Sequence, residues 1–201
     1  MADWRSPRAL AFRLWDSHVL PPRVAAFQIR ALLRAWRTGD HAGFIASLRA
    51  PKLALLLRLA GDRQCVVELG TNTAWTSCSL LLADPTRSVT SFDPVAQPHR
   101  HTYVGLLPAS ARNRLRLVQS TGADGAEQVA GPVDLLFIDC GHERQMVIDE
   151  VQAWRPRLAD GALMVFDDYG HPQFPGVADA IADLGLDGRD AHGCFVARHT
   201  A

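Results

Sequence analysis

The chain has 201 residues, of which 21 are basic, 21 are acidic and 48% are hydrophobic. These values are typical of one globular domain with a short extension, and they argue against a disordered chain. A net charge of zero disfavours nucleic acid or an anionic membrane as the main partner, and no segment is apolar enough to span a bilayer. The four cysteines form no CxxC pair, which disfavours a disulfide or zinc framework. We therefore expect a cytoplasmic protein.

The first 60 residues predict only helices. Proline is well suited to the first turn of a helix, and Pro7, Pro22 and Pro51 each stand where a new helical pattern begins. The apolar stripes of these helices need a partner surface. We therefore expect residues 1–60 to be an extension that packs on the following domain, covers a substrate pocket as a lid, or forms a homodimer contact.

From residue 61 onward, strands alternate with helices. This order predicts an α/β fold with a doubly wound, mostly parallel sheet covered by helices on both faces. Apolar segments predict six strands, at Gln64–Leu69, Ser88–Phe92, Leu115–Gln119, Val133–Ile138, Leu163–Phe166 and Gly193–Arg198. Helical periodicity is found at Trp75–Ala83, weakly within Gln97–Leu107, between the fourth and fifth strands, and at Val177–Leu184.

Three carboxylates follow two neighbouring strands. Asp139 comes directly after the strand that ends at Ile138, and Asp167 and Asp168 come after the next one. Because parallel strands end at the same edge of a sheet, these side chains should converge where open α/β sheets bind ligands. Carboxylate oxygens suit a hard cation such as Mg²⁺. The alternative is that Asp139 caps the following helix while the other two shape a turn.

A second pair of strand ends points to a nucleoside. Gly70 follows the strand that contains Glu68, and a glycine there lets backbone N–H groups face a ligand. The segment lacks the GxGxxG pattern of dinucleotide sites. Asp93 ends the next strand and suits the two hydroxyls of a ribose, although an Asp-Pro turn is the alternative.

Four short segments carry a resemblance to a known family: ELGT at 68–71, FDP at 92–94, IDCGH at 138–142 and FDDYGH at 166–171. Together they resemble class I S-adenosylmethionine-dependent methyltransferases, over roughly residues 62–201. The last segment is similar to sugar O-methyltransferases of the macrocin and noviose type, and more loosely to catechol O-methyltransferase. The resemblance implies a Rossmann-like, seven-stranded methyltransferase domain at 61–201. It also implies S-adenosylmethionine and Mg²⁺ or another divalent cation as cofactors.

The resemblance also assigns residues. Asp93 matches the acidic residue that holds the cofactor ribose, Gly70 passes beneath the methionine portion, and Thr76 lies near its carboxylate. The segment Ser120–Ala123 matches the adenine side. The implied cofactor contacts are Glu68, Gly70, Thr71, Thr76, Asp93, Thr121 and Asp139, and the implied metal ligands are Asp139, Asp167 and Asp168.

The general base is where the sequence departs from the relatives it resembles. Gly141 stands where the sugar enzymes have a second aspartate, and His142 stands where catechol O-methyltransferase has a lysine. Since the only lysine, Lys52, lies in the N-terminal helices, His142 is the candidate base, acting beside Asp139. A surface or orienting role for His142 is the alternative, and His171 is a second candidate for a base or substrate contact.

The expected function is transfer of a methyl group to a hydroxyl of a small molecule, either a natural product, a sugar or a phenol. Two alternatives remain open on the same fold. One is a nucleotide-dependent oxidoreductase or hydroxylase-like relative. The other is a methyltransferase-like binding protein without activity, which the glycine at position 141 would permit.

Overall fold

Seven strands form a single sheet in the computed structural model, which describes residues 4–200. Residues 1–3 and 201, which belong to the predicted segments 1–60 and 61–201, lie outside the described residues. The strands are β1 (Cys65–Leu69), β2 (Ser88–Phe92), β3 (Leu115–Val118), β4 (Val133–Ile138), β5 (Leu158–Phe166), β6 (Gly188–Ala191) and β7 (Cys194–Arg198). Their order across the sheet is β3-β2-β1-β4-β5-β7-β6.

The first five strands are parallel, whereas β7 runs antiparallel to β5 and pairs with β6 as an antiparallel hairpin. The prediction of a doubly wound, mostly parallel sheet is therefore confirmed. Apart from ends of β1, β3 and β7 that differ by one residue, two details differ from the sequence-based strands. β5 begins at Leu158 instead of Leu163, and β6 was not predicted, because its residues are mostly exposed and polar and show no apolar pattern.

The described helices are α1 (Pro7–Asp16), α2 (Pro22–Thr38), α3 (His41–Ala46), α4 (Ala50–Ala60), α5 (Trp75–Ala83), α6 (Arg100–Val104), α7 (Ala109–Arg112), α8 (Arg144–Trp154) and α9 (Pro175–Asp183). Three of the first four contain proline in their first turn, as the sequence predicts. Within residues 4–200, no helix combines the length and the apolar character that crossing a membrane requires.

Each face of the sheet has its own hydrophobic core. On one face, α2, α4 and α5 pack through fully buried side chains such as Phe27, Leu53 and Leu80. On the opposite face, α8 and α9 pack through residues such as Trp154 and Ile181. Because α2 and α4 share their core with the strands, the N-terminal helices pack directly on the sheet.

The register of the central strands sets the position of the site. Leu69 pairs with Ile138, and Ile138 pairs with Phe166, at the carboxyl ends of β1, β4 and β5. The pairing continues one residue further: Asp139 N donates to Leu69 O at 2.8 Å, and Asp167 N donates to Ile138 O at 2.9 Å. The residues that follow the three strands are therefore brought side by side at one edge of the sheet.

Candidate active site

A cavity of about 650 Å³ opens at this edge of the sheet. Six of the residues singled out in the sequence line it: Gly70, Asp93, Asp139, His142, Asp167 and Asp168. Its opposite wall comes from the N-terminal helices, through residues 45–49 and Lys52. The cavity thus combines the nucleoside-type strand ends, the carboxylate cluster and the N-terminal extension in one space.

The turn after β1 depends on Gly70. Its φ of +101° lies in the region that favours glycine. A Cβ atom added at this position would lie 2.1 Å from the carbonyl oxygen of Asp139, so the backbones after β1 and β4 approach each other directly. The turn is closed against β2, since Gly70 N donates to Phe92 O at 2.8 Å. Only glycine satisfies both the conformation and the space at this position.

Asp93 is fixed by donors from its own chain. Its Oδ2 accepts hydrogen bonds from Asn72 N at 2.6 Å and from Arg100 Nη2 at 3.0 Å, and its Oδ1 accepts from Val95 N at 2.8 Å. Arg100 also donates from Nε to Asn72 O at 2.6 Å, which ties the turn after β1 to the loop after β2. Sequence reasoning missed Arg100, although a basic residue seven positions after the ribose-type aspartate was a possible signal.

Glu68 lies beneath the turn and does not line the cavity. It is 1% exposed, and its Oε2 accepts hydrogen bonds from Ser77 and Ser91. Burial raises the pKa of Glu68 to about 7, against the lowering effect of the two serine hydroxyls. Thr71 is also buried, with its Oγ1 2.7 Å from Ser91 Oγ. The geometry makes both residues supports of the turn.

The other two threonines implied as cofactor contacts also lie outside the wall of the cavity. Thr76 is buried in the first turn of α5. Thr121 is exposed, and its Oγ1 donates to Asp124 Oδ2 at 2.6 Å and accepts from Asp124 N at 3.2 Å. The structure therefore brings Gly70 and Asp93 to the cavity, but not Thr76 or Thr121.

The predicted carboxylates do converge. Burial and the charges of Asp167, Glu68 and Asp168 raise the pKa of Asp139 well above its usual range, while Lys52 acts in the opposite direction. Potential ligand atoms of Asp139, His142 and Asp168 all lie within 4.8 Å of one another, a spacing that a metal ion could bridge. This set differs from the predicted one, because His142 takes the place of Asp167.

Asp167 is engaged by Lys52, which corrects the expectation that no lysine is available at the site. Lys52 extends from α4, and its Nζ lies 2.6 Å from Asp167 Oδ1 and 3.7 Å from Asp168 Oδ1. Burial lowers the pKa of Lys52, but Asp167 and Asp168 outweigh this effect and the pKa lies above its ordinary value. The pair spans 115 positions of the chain, so spacing in the sequence could not indicate it.

His142 is oriented by two contacts. Its Nε2 lies 3.1 Å from Asp168 Oδ2, and its ring stacks on Phe174 with centroids 3.8 Å apart and an interplanar angle of 19°. His171 lies on Phe174 as well, at 4.8 Å, but does not line the cavity. At position 141, a side chain would meet Met146, since an added Cβ would lie 2.8 Å from Met146 Cε. Because Met146 is a flexible side chain that is 46% exposed, a larger residue at position 141 would require only a shift of that side chain.

This arrangement can bind a nucleoside at one end, and at the other it can hold a cation or move a proton from a hydroxyl. A carboxylate held by backbone N–H and guanidinium donors is a rigid acceptor. An imidazole fixed by a carboxylate is a positioned general base. The two functions lie within one cavity, as an enzyme that joins a cofactor to a second substrate requires.

Comparisons with known proteins agree with this fold. Solved structures similar to the chain include cofactor-bound Rv0187 from MTB, with 22% identity, a TM-score of 0.71 and coverage of 97% of this chain and 98% of that one. Another is the O-methyltransferase TomG from Streptomyces achromogenes in complex with SAM, with 18% identity, a TM-score of 0.69 and coverage of 95% and 96%. A third is CalS11, a TDP-rhamnose 3'-O-methyltransferase of calicheamicin biosynthesis, with 18% identity, a TM-score of 0.61 and coverage of 98% and 96%.

A comparison with curated proteins found no match. Residues 67–169, more than half of the chain, match the family described as methyltransferase domain. This match runs from the middle of β1 to beyond the end of β5, and therefore includes every strand end that lines the cavity. The chain therefore belongs to the methyltransferase domain family, and its fold is that of the class I S-adenosylmethionine-dependent methyltransferases.

Proposed function

We propose that the protein transfers the methyl group of S-adenosylmethionine to a hydroxyl of a small molecule, such as a natural product, a sugar or a phenol. The observation that carries this proposal is the single cavity that joins Gly70 and Asp93 to Asp139, His142 and Asp168. One end suits a nucleoside and the other suits an ionisable hydroxyl, so donor and acceptor would meet between them.

The cofactor end acts mainly by binding and orientation. When bound, S-adenosylmethionine supplies a methyl group already activated by its sulfonium charge. Asp93, fixed by Asn72 and Arg100, presents its carboxylate to the ribose hydroxyls, and Gly70 leaves room for the cofactor close to the backbone. Because these groups are rigid before binding, much of the rate acceleration would come from holding the two reactants together.

The acceptor end acts by proton transfer. In the tautomer of His142 that donates from Nε2 to Asp168, the lone pair of Nδ1 is free. His142 then takes the proton of the acceptor hydroxyl as the oxygen–methyl bond forms and the sulfur–methyl bond breaks. Phe174, stacked on the imidazole, keeps the ring in this orientation.

A divalent cation is part of the proposal, with Asp139, Asp167 and Asp168 as its ligands. The donor set fits this role, because the cluster contains three carboxylates and Asp139 has a raised pKa in the absence of a cation. Ligand atoms from Asp139 and Asp168 already lie within 4.8 Å of each other. When bound, a cation such as Mg²⁺ would lower the pKa of a hydroxyl that contacts it.

The N-terminal helices would form the acceptor side of the pocket. Residues 45–49 line the cavity beside Asp139 and Asp168. Among the similar structures, CalS11 is a TDP-rhamnose 3'-O-methyltransferase and TomG is an O-methyltransferase of tomaymycin synthesis. Because both of these proteins methylate oxygen, they support a hydroxyl as the acceptor group of this chain.

The test is calorimetric titration of the full chain with S-adenosylmethionine and, separately, with NAD. We expect saturable binding of S-adenosylmethionine and none of NAD, and the reverse result would favour an oxidoreductase.

Formation of S-adenosylhomocysteine is then measured with a catechol and with TDP-rhamnose as acceptors. If the divalent cation takes part in the reaction, EDTA should stop turnover and added Mg²⁺ should restore it. Cofactor binding without turnover on any hydroxyl acceptor would favour a binding protein.

A further inference from the structure

Lys52 reaches the carboxylate cluster from outside the matched methyltransferase segment. Its side chain is 22% exposed, and Nζ contacts Asp167 Oδ1 at 2.6 Å while lying 3.7 Å from Asp168 Oδ1. It also lies close to the strand β7, since a Cβ added at Gly193 would be 4.0 Å from its Nζ. The ammonium thus lies at the wall of the cavity, between α4 and the residues that follow β5 and precede β7, in contact with two of the proposed metal ligands.

The oxygen that Lys52 contacts is already occupied on two sides. Asp167 Oδ1 accepts from Lys52 Nζ at 2.6 Å and from Cys194 Sγ at 3.3 Å. Asp167 is only 6% exposed, so solvent screens this contact weakly. A divalent cation that used this oxygen would have to displace the ammonium or bind next to it, and both carry positive charge.

We propose that Lys52 is the resident cation of the carboxylate cluster and competes with a divalent cation for Asp167 and Asp168. Lys52 is a positioning residue in this role, because it acts on the reaction through the two aspartates. The inference rests on the proposed function. It also links the N-terminal helices to the metal, since any movement of α4 that withdraws Lys52 frees the two carboxylates for the cation.

A purely structural ion pair would give a different result from a competing cation. If Lys52 only anchors α4, its removal lowers stability and leaves the affinity for a divalent cation unchanged or weaker. If Lys52 competes, its removal strengthens cation binding, because a positive charge within 4 Å of two ligands is gone. The two roles therefore predict opposite signs for cation affinity.

The experiment measures Mn²⁺ binding to the full chain from the electron paramagnetic resonance signal of free Mn²⁺. The variants are Lys52→Met, Lys52→Gln and Lys52→Arg. The matched control is Arg58→Met, which removes one positive charge from the exposed side of the same helix. Thermal melting confirms that each variant is folded, and the glutamine variant preserves the test if the methionine variant does not fold.

We expect Lys52→Met and Lys52→Gln to bind Mn²⁺ at least about tenfold more tightly than the parent. Lys52→Arg and Arg58→Met should stay within about twofold of it, since the first keeps the charge and the second removes a distant, solvated one. Equal or weaker binding in both neutral variants would overturn the inference while leaving the divalent cation in place.

Two further outcomes separate this inference from the proposed function. If the parent does not bind Mn²⁺ but the neutral variants do, the competition is supported and the cation has no place in the parent's reaction. If no protein binds Mn²⁺ at its carboxylates, the competition and the cation both fail. Binding of S-adenosylmethionine, measured on the same samples, reports the rest of the proposed function independently.

Discussion

The two ends of the cavity both contain aspartates, but the groups around these aspartates are opposite in kind. At the cofactor end, the carboxylate of Asp93 receives three hydrogen bonds from its own chain, one of them from Arg100. At the acceptor end, Asp139 lies among further carboxylates, and its pKa is raised well above the usual range, with Lys52 as a partial counter-charge. At the cofactor end, donors of the chain itself satisfy the carboxylate. At the acceptor end, the carboxylates outnumber the single charge of Lys52, so a further cation or a proton is needed to balance them.

The largest effect is expected at Gly70, where the two ends meet. Gly70→Ala places a methyl group 2.1 Å from Asp139 O at a φ of +101°, and the combined strain should lower the free energy of unfolding by about 3–5 kcal/mol. Binding of S-adenosylmethionine should be lost as well. Thermal melting and calorimetry measure the two losses.

Gly131→Ala is the matched control for this variant. Gly131 has a similar φ of +90° but no neighbour within 4 Å of an added Cβ, so alanine there costs only the conformational strain, about 1–2 kcal/mol. Equal destabilisation by the two substitutions would show that the close approach between Gly70 and Asp139 does not matter.

The next largest effect is on kcat, and it distinguishes the acceptor end of the cavity from the cofactor end. His142→Gln should lower kcat by about 10²–10³-fold, because the imidazole that we propose as the acceptor of the hydroxyl proton is removed. The affinity for S-adenosylmethionine should change little, since the side chain belongs to the acceptor end. His171→Gln is the control, because this ring also lies on Phe174 but outside the cavity. A larger loss of kcat in His171→Gln would transfer the role of the base to that residue.

Asp93→Ala should give the complementary result. The dissociation constant for S-adenosylmethionine should rise by about tenfold or more, because the carboxylate that we propose as the acceptor for the two ribose hydroxyls is lost. At saturating cofactor, kcat should be largely retained. Asp84→Ala is the control, since Asp84 is also a turn aspartate that accepts from Thr86, but lies away from the cavity. Unchanged cofactor affinity in Asp93→Ala would remove this residue from the binding site.

The last effect concerns the pH dependence of stability beneath the cofactor end, and it is expected to leave cofactor binding and kcat at neutral pH least affected. Burial raises the pKa of Glu68 from 4.5 to about 7, so the folded chain keeps Glu68 protonated at pH values where the unfolded chain has released the proton. The free energy of unfolding should therefore fall as the pH rises from 4.5 to 7, by up to about 3 kcal/mol from this group. Denaturant unfolding at pH 5 and pH 8 measures the difference.

In Glu68→Gln, this part of the decrease should disappear. A remaining decrease is expected from Glu150, whose pKa is also raised to about 7 by burial, and from Asp139, whose pKa is raised by burial and by the neighbouring carboxylates. Glu127→Gln, an exposed substitution, should keep the full pH dependence of the parent. A decrease of the same size in Glu68→Gln and in the parent would mean that Glu68 is ionised in the folded chain.

Much of the fold could be predicted from the sequence, because strands and helices are indicated by patterns of neighbouring residues. The bounds of β2, β4 and α5 are those that apolar runs and helical periodicity indicate. The polar edge strand β6 has no such signal, and the antiparallel direction of β7 depends on where the chain returns after α9. Neither could be inferred from a short window of residues.

The candidate site also has one part that could be predicted from the sequence and one part that could not. The aspartates that directly follow a strand, Asp93, Asp139 and Asp167, could be placed at one edge because parallel strands share their carboxyl ends. The charged partners of these aspartates could not be predicted. Arg100 contacts Asp93 from the start of α6, and Lys52 contacts Asp167 across 115 positions of the chain. Thr76 and Thr121, assigned by resemblance, lie outside the cavity wall.

The sequence by itself determined which residues follow which strands, and hence the edge of the sheet and the carboxylates that meet there. These properties depend on hydrophobic periodicity, which is a property of neighbouring residues. The family was indicated separately, by the resemblance of four short motifs. Only the tertiary structure decided that the single lysine lies against two of those carboxylates and that His142 stacks on Phe174. Such contacts depend on how distant helices pack on the sheet, and the charge balance of the site follows from them.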